Sequence, residues 1–449
     1  MATPKPVRLV VLNFNGGALT LRCVEHLLAL DWPSDQLQVV VVDNASTDGS
    51  VEAIEERFPQ VEVRRNDING GFPANNLALT DLDGVRYVGL VNNDAFVEPD
   101  YLSHLVDALD DDPAVGAVSA KLVLEPRFVE VSITSPTFVP GFGDGRDLGV
   151  MLRGVVVDGV DVTSRCHFGL GGWGMEHDRE GDFEWTAAEA LLRIPVPDGA
   201  EQLASVAIEL AAERTKDVLI DGGAGRLVVV VGGRRATFEV PLAGAAVDVL
   251  NNVGSVVFAD GSGADRGWLQ RDDGQLDEPV DVFAWCGGAV LFRPTYLSDV
   301  GLFDEDFFLY YEDTDLSWRG RGRGWRYRTV PAAVARHVHA ASSQEGSAVF
   351  VHHVERNRLL MLVKDAPRGM AARQVWRYLL VTASYARRDV VGQLLRLRRP
   401  RPTTVRRRLR AFGSFLRLLP VMVGRRWRIR RRRTVADAEL VEWLVPRER

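Results

Sequence analysis

Over the first 124 residues, short apolar runs alternate with segments of helical period. Residues 7–14 form an apolar, β-branched run that stops at Asn15-Gly16-Gly17, which predicts a buried strand ending in a turn. Residues 18–30 place Leu21, Val24, Leu27 and Leu28 at helical spacing, and residues 37–42 are a second apolar run ending at Asp43. Strand, helix and strand in about 35 residues make a βαβ unit and imply a parallel sheet. Sheets of this kind bind ligands at the carboxyl ends of their strands, where Asp43 stands. The alternation predicts a helix over 51–58, a strand over 61–65, a tight turn at Asn69-Gly70-Gly71-Phe72 and a helix from Ala74. A strand over 87–91 then ends in Asn92-Asn93-Asp94, an Asx-rich end that suits a turn and equally a metal or phosphate ligand. A helix over 99–109 and a strand over 115–124 close this half.

From 125 to 249 the runs shorten to period-two alternation broken by Gly, Pro and Asp, which predicts an inserted all-β module of sandwich-like spacing. His167 and His177 are isolated within it, and no nucleophile or metal spacing occurs there. The α/β pattern resumes near 250, with strands expected over 256–260, 280–292 and 327–331. Gly287-Gly288 interrupts the second of these, which implies close approach of a ligand or another backbone. His337 and His339, two apart on a strand, share a face, and either could join a metal.

Residues 301–319 carry the densest chemistry. Asp304, Glu305, Asp306, Glu312, Asp313 and Asp315 are interleaved with aromatic and aliphatic residues, and burying carboxylates this way is costly unless they are paired or bound. A helix over 314–325 would set Glu312 and Asp313 at its N-terminus, where the dipole favours the ionised form that a base requires.

Residues 351–449 read as helices. One apolar stripe runs through Trp376, Leu379, Leu380, Ala383, Val390 and Leu394, and another through Val405, Leu409, Phe412, Leu416, Leu419 and Val423. Pro420 is expected to kink or end the second helix. Charge changes the picture most here. The chain has a net charge of −7, yet residues 396–433 hold sixteen arginines and no lysine, Asp or Glu. An acidic body with a basic amphipathic tail points to an anionic surface as partner, here the inner face of a membrane. RNA is the weaker fit, since few stacking aromatics stand between the arginines.

The 449 residues allow two or three domains, and the composition is ordinary for a globular protein. Cys23, Cys166 and Cys286 give neither a disulfide framework nor a zinc spacing, so a reducing cytoplasmic setting is expected. Neither a membrane-spanning run nor an export signal is legible.

Five segments in this order resemble the family 2 glycosyltransferases of the GT-A fold, especially their bacterial rhamnosyltransferase-like and galactofuranosyltransferase-like branches. They are residues 10–16, 41–50, 69–72, 90–94 and 301–318, and Asp313 precedes His337 by 24 residues, similar to the family's interval from base to metal-binding histidine. The resemblance covers 7–124 and 250–365. It implies an α/β GT-A domain split into a nucleotide-sugar half (1–124) and an acceptor half (250–350), around the module at 125–249 and before the tail at 351–449. It further implies that Asn15, Asp43, Asn69, Gly71, Asn93 and Gly288 line the donor site. Asn92-Asn93-Asp94 is similar to the family's Asp-x-Asp motif with asparagine first. Asp94 and His337 would therefore carry most of the binding of a divalent metal (Mg²⁺ or Mn²⁺), with Asn92 adding a neutral oxygen. Asp313 is similar to the catalytic base, and Glu312 would position an acceptor hydroxyl.

The expected activity is inverting transfer from a nucleotide-diphosphate sugar, dTDP-rhamnose first and UDP-galactofuranose second, to a lipid-linked or polysaccharide acceptor. A nucleotidyltransferase would want a basic Gly-rich loop after the first strand, and Asn13-Phe14-Asn15-Gly16-Gly17 has no basic residue. A non-catalytic carbohydrate-binding protein would not need Asp43, Asp94, Asp313 and His337 together.

Overall fold

A computed structural model describes residues 5–141, 144–338, 347–397, 399–400 and 402–446, so His339 lies outside the described residues. The first half comprises β1 (Val7–Asn13), α1 (Gly17–Leu28), β2 (Leu37–Asp43), α2 (Ser50–Arg57), β3 (Glu62–Arg65), α3 (Asn76–Leu79), β4 (Tyr87–Asn92), β5 (Ala95–Val97), α4 (Tyr101–Asp111) and β6 (Val115–Leu124). Strands β7 (Phe128–Thr134), β8 (Met151–Val157), β9 (Val160–Asp161), β10 (His167–Asp178), β11 (Gly181–Pro195), β12 (Ser205–Ala211), β13 (Lys216–Asp221), β14 (Arg226–Val231) and β15 (Ala236–Pro241) follow. The chain continues through β16 (Leu250–Asn252), β17 (Ser255–Val257), β18 (Gly263–Asp265), β19 (Ala289–Phe292), α5 (Pro294–Val300), α6 (Glu312–Arg321) and β20 (Arg326–His337). Helices α7 (Ala348–Asp365), α8 (Arg368–Ala386), α9 (Gly392–Leu395), α10 (Thr403–Arg432) and α11 (Asp437–Glu442) complete it.

Two compact units divide the chain: Met1–Val123 with Asn251–Trp268 and Gln275–Arg449, and Leu124–Leu250 with Leu269–Gly274. The first is built on a sheet of order β3-β2-β1-β4-β19-β6-β20-β5, with β16 on β6. Strands β1 to β4 pair in parallel, while β19 runs antiparallel to β4 and β6. Leu9, Val11, Val39 and Val41 pack with Val24, Leu27 and Leu105 on one side of this sheet. Val10, Val40 and Val42 pack with Ala78, Tyr296 and Leu316 on the other. Both faces are covered, which explains why these strands read as continuous apolar runs rather than as alternation.

In the second unit the strands join in one nine-stranded sheet of order β14-β13-β7-β11-β8-β12-β15, with β10 on β11 and β9 on β8, rather than in two separate sheets. Its neighbours pair antiparallel, and it has its own core, including Val131, Leu192, Ile208, Ile220 and Val240. The short return of Leu269–Gly274 to this unit was not visible in the apolar pattern.

Several boundaries differ from the sequence expectation. The helix expected from Ala74 is a 3₁₀ turn, Phe72–Asn75, followed by four α-helical residues. The strand expected over 280–292 shrinks to β19, which starts just after Gly287-Gly288. The helix expected over 314–325 is α6, which starts at Glu312 and stops at Arg321, where a Gly322-Arg323-Gly324 turn with Gly324 at φ 92° feeds β20. That strand is longer than expected and carries His337 as its last residue. Pro420 does not end α10, which continues to Arg432. Proline removes the helix bond to residue 416 and crowds that carbonyl, but Pro420 and Leu416 are both exposed, where the carbonyl can tilt outward and water can satisfy it.

Helix α7 brings Leu359, Met361 and Leu362 together with Phe283, Phe307 and Trp318, and α10 joins that cluster through Phe415 and Met422. The apolar stripe expected on α10 is therefore split: Val405 is buried, whereas Leu409, Leu416 and Val423 are exposed. No described helix is long and apolar enough to cross a membrane.

Candidate active site

The carboxyl ends of β1, β2 and β4 and the N-terminus of α6 belong to the same unit. At the end of β1, Asn13 is fully buried, and its Nδ2 reaches Ser50 Oγ at 2.9 Å, Ser46 Oγ at 3.1 Å and Asp43 Oδ1 at 3.4 Å. Its Oδ1 accepts from Thr20 Oγ1 at 2.8 Å. Asn15 stands at φ 51°, and its Oδ1 accepts from the Thr47 N–H at 2.7 Å. Asp43 is buried and accepts from the Ser46 N–H at 3.3 Å. The β1 and β2 turns are thus tied into one rim. Sequence reasoning singled out Asn15 and Asp43 but missed Asn13, whose apolar neighbours hid it.

Asn44, also missed, organises the glycine turn. Its Nδ2 donates to Asn69 Oδ1 at 2.9 Å and to Gly71 O at 3.2 Å, while its Oδ1 accepts from the Gly70 N–H at 2.8 Å. Gly71 sits at φ 69°, and a Cβ there would lie 2.0 Å from the main-chain oxygen of Phe308. The next residue, Phe72, donates its N–H to that same oxygen at 2.7 Å. Glycine is required because two backbones touch at this point.

At the end of β4 the three asparagine and aspartate side chains diverge. Asn93 turns toward α1 and donates to Thr20 Oγ1 at 3.0 Å. Asp94 and His337 are both buried, with Asp94 Oδ1 and His337 Nε2 3.1 Å apart. His337 Nδ1 lies 2.7 Å from Asn251 Oδ1, so a proton on Nδ1 leaves Nε2 with a lone pair directed at a carboxylate oxygen. That arrangement calls for a proton or a cation between the two groups. A carboxylate and an imidazole whose other nitrogen is held by an amide oxygen form a donor pair that fits Mg²⁺ or Mn²⁺. Asn92 presents its amide nitrogen to His337 Nε2 at 3.5 Å, so its oxygen becomes a ligand only after the amide turns over. Among the described residues no group of three His, Cys, Asp or Glu side chains converges, so a cation here would draw further ligands from the substrate and water.

The acidic segment sorts into two roles. Asp315 is fully buried and pairs with Arg319 at 2.9 Å and Lys364 at 2.6 Å, a structural ion cluster that also takes in Asp304. Glu312 and Asp313 are different. Burial first, then the charge of Asp313, raises the Glu312 carboxyl well above its ordinary value, and its Oε2 has no partner among the described residues. Asp313 is pushed up to about 6, mainly by burial, against the lowering effect of the Thr314 N–H and hydroxyl and the Gly287 N–H. The helix N-terminus does supply donors to Asp313, as expected, but burial outweighs them. A carboxylate titrating near 6 is ionised at neutral pH yet basic enough to take a proton in a transition state.

Gly287 and Gly288 connect the two groups. The Gly287 N–H donates to Asp313, while Gly288 O accepts the N–H of Asn92 at 2.9 Å. The loop entering α6 is held open by unusual backbone: Phe308, Tyr310 and Tyr311 have φ of 63°, 68° and 70°. Asn357 of α7, fully buried, directs its Nδ2 at the carbonyls of Phe307, Leu309 and Tyr310, at 2.8, 2.8 and 2.7 Å. Arg356 adds bonds to the carbonyls of Asp306 and Phe307 at 3.0 and 2.8 Å. In the sequence these two residues fall inside the helical region from 351 onward and carry no further signal.

Residues 9–128 match the family model described as Glycosyl transferase family 2. No curated protein gives a match. Among solved structures, the chain is similar to GalNAc-T7 with UDP, GalNAc and Mn²⁺, at 13% identity and a TM-score of 0.44, covering 86% of this chain and 52% of that one. The chain thus spans about half the length of that structure. It is also similar to mannosyltransferase PcManGT from Pyrobaculum calidifontis in complex with GDP-Man and Mn²⁺, at 14% identity and a TM-score of 0.41, covering 95% and 86%. Residues 1–349 of S. aureus TarS in complex with UDP-GlcNAc match at 13% identity and a TM-score of 0.39, covering 97% and 89%.

Proposed function

We propose that the protein is a metal-dependent inverting glycosyltransferase, a reading supported by the match of residues 9–128 to the model of family 2 glycosyltransferases. The donor is a nucleotide-diphosphate sugar, with dTDP-rhamnose the first choice, and the acceptor is a lipid-linked or polysaccharide glycan at the inner face of the cell membrane. One observation carries this reading: adjacent glycines bond Asp313 on one side and the strand end that bears Asn92 and Asp94 on the other. A base and a cation site joined through two adjacent residues suit a reaction that needs both.

In this reading Asn15, Asp43, Asn69, Gly71, Asn93 and Gly288 border the nucleotide and sugar, with Asn13 and Asn44 holding their loops. Asp94, His337 and, after a turn of its amide, Asn92 would hold the divalent ion, which neutralises the leaving diphosphate. Asp313 accepts the proton of the acceptor hydroxyl as that oxygen bonds to the anomeric carbon. The bond from that carbon to the diphosphate oxygen breaks, and its electron pair leaves with the nucleotide diphosphate. Glu312, its neutral form favoured by burial, donates a hydrogen bond to the acceptor and so positions it.

The test is a panel of nucleotide sugars, with and without Mg²⁺ or Mn²⁺, read first as release of nucleotide diphosphate and then as transfer to glycan acceptors. Turnover of dTDP-rhamnose supports the proposal in full, and preference for UDP-galactofuranose moves it to the second donor. Binding of sugar with no release or transfer under any condition would replace it with a non-catalytic carbohydrate-binding role.

A further inference from the structure

Helix α10 has a buried side and an unusual exposed one. Ala411, Phe415 and Met422 are buried, the latter two in the cluster of α7. On another side, Leu409, Leu416, Val423 and Trp427 recur at helical spacing and are 54%, 48%, 41% and 59% exposed. Helix α8 repeats the arrangement. Tyr378 and Thr382 bond Arg408 of α10, whereas Trp376 and Leu380 point to solvent at 62% and 52%. The same face continues past α8 through exposed Val391 and Leu394. Two tryptophans and six aliphatic residues on exposed helical faces exceed the scatter of single apolar residues that a soluble surface carries.

Charge identifies what covers these faces. Arg406, Arg407, Arg410, Arg417, Arg428 and Arg431 on α10 are all exposed, and residues 396–433 contain no acid. A second copy of this chain would bring the same arginines against these, which costs energy at each like-charged approach. An anionic bilayer instead offers phosphates to the guanidinium groups and acyl chains to the stripe between them.

We propose that the exposed faces of α8 and α10, led by Trp376, Leu380, Leu416 and Trp427, form a membrane-docking surface for anionic phospholipid. This deepens the membrane part of the function proposed above and rests on it only for the identity of the membrane. The α7-facing residues hold the two helices to the catalytic unit. The opposite residues enter the interface, so one helix serves both as a structural strut and as an anchor.

Full-length protein is mixed with vesicles of phosphatidylcholine alone and of phosphatidylcholine with phosphatidylglycerol, a set of them carrying brominated acyl chains. The expected result is sedimentation with the anionic vesicles only, weakening as salt rises, with tryptophan emission quenched by the brominated lipid. Trp427→Ser and Leu416→Ser should each weaken partitioning about tenfold. Arg428→Gln and Arg431→Gln should each weaken it about fivefold. Release of nucleotide diphosphate in vesicle-free buffer should stay at the parent level in all four variants, and this readout reports on the proposed function alone. Equal binding to both vesicle types, or anionic binding that survives Trp427→Ser and Leu416→Ser without loss of quenching, would overturn the docking surface. So would a concentration-dependent dimer, seen by light scattering, that Leu416→Ser dissolves.

Discussion

The Nδ2 of Asn357 lies 2.7 Å from the main-chain oxygen of Tyr310. Through this bond and its two companions, a helix far along the sequence restrains three left-handed residues ahead of α6. Non-glycine residues in that region cost of order 1 kcal/mol each and persist only where the surroundings impose them. Asn357→Ala should therefore release the loop that presents Glu312 and Asp313. Turnover should fall about 10–100-fold, with the dissociation constant of the donor nucleotide nearly unchanged. Parallel measurement of kcat and of nucleotide binding in a variant shown to be folded checks this, and equal losses in both would assign Asn357 a purely structural role.

In the proposed mechanism Asp313 should set the pH dependence. With its carboxyl pushed up to about 6, the base is active only when deprotonated, so turnover should rise with pH through about 6 and then level. Asp313→Asn should lower turnover about 10²–10⁴-fold, remove that limb and leave donor binding intact. Stability carries the same group with the opposite sign. The folded state holds this proton more tightly than the unfolded chain does, so stability falls as pH rises from about 4 to about 6. Asp313→Asn removes that loss, and its melting temperature should exceed the parent's at pH 8. Near-normal turnover in Asp313→Asn would transfer the base role to Glu312, since Asp315 is committed to Arg319 and Lys364.

Chelation tests the Asp94–His337 pair. EDTA should abolish release of nucleotide diphosphate, and added Mn²⁺ or Mg²⁺ should restore it. Asp94→Ala and His337→Ala should each weaken metal-supported donor binding, as read by calorimetry with and without the ion. Asn251→Ala should act in the same direction but less, by about 10–100-fold in metal affinity, because it only fixes the ring through Nδ1. Full activity in excess EDTA would remove both the ion and the role of His337.

The β unit is expected to fold on its own and to take no part in the chemistry. Its core is made from its own strands, including Val131, Ile208 and Val240, and none of the residues proposed for the donor site or as the base lies in it. A variant joining Val123 to Asn251 through a flexible linker, with residues 269–274 replaced by Gly and Ser, should still bind nucleotide sugar. Loss of binding in a folded variant of this kind would assign the unit part of the donor pocket.

Much of the strand framework around the candidate site was legible in the sequence. Parallel strands covered on both faces must be apolar at nearly every position, so β1, β2 and β4 stood out, and the polar residues where they stop, Asp43 and Asn92 to Asp94, fell at the carboxyl ends of the strands. Local chemistry also exposed the turn at Gly71 and the acidic start of α6. The sequence could not assign roles within the acidic cluster. Asp313 and Asp315 are two residues apart and of one type, yet one is held by Lys364 and Arg319 and the other by the Gly287 and Thr314 N–H groups. Arg319 and Thr314 are near neighbours on α6, but Lys364 of α7 and Gly287 before β19 come from separate elements, and no local pattern encodes which carboxylate each one meets. The tail makes the same point. Its apolar stripe and its arginines are a property of the chain, and a period near 3.6 predicted the helix. Which apolar residues are spent on packing was decided only when α7 took Phe415 and Met422 and left Leu409, Leu416 and Val423 exposed, because burial depends on what stands opposite a residue in space.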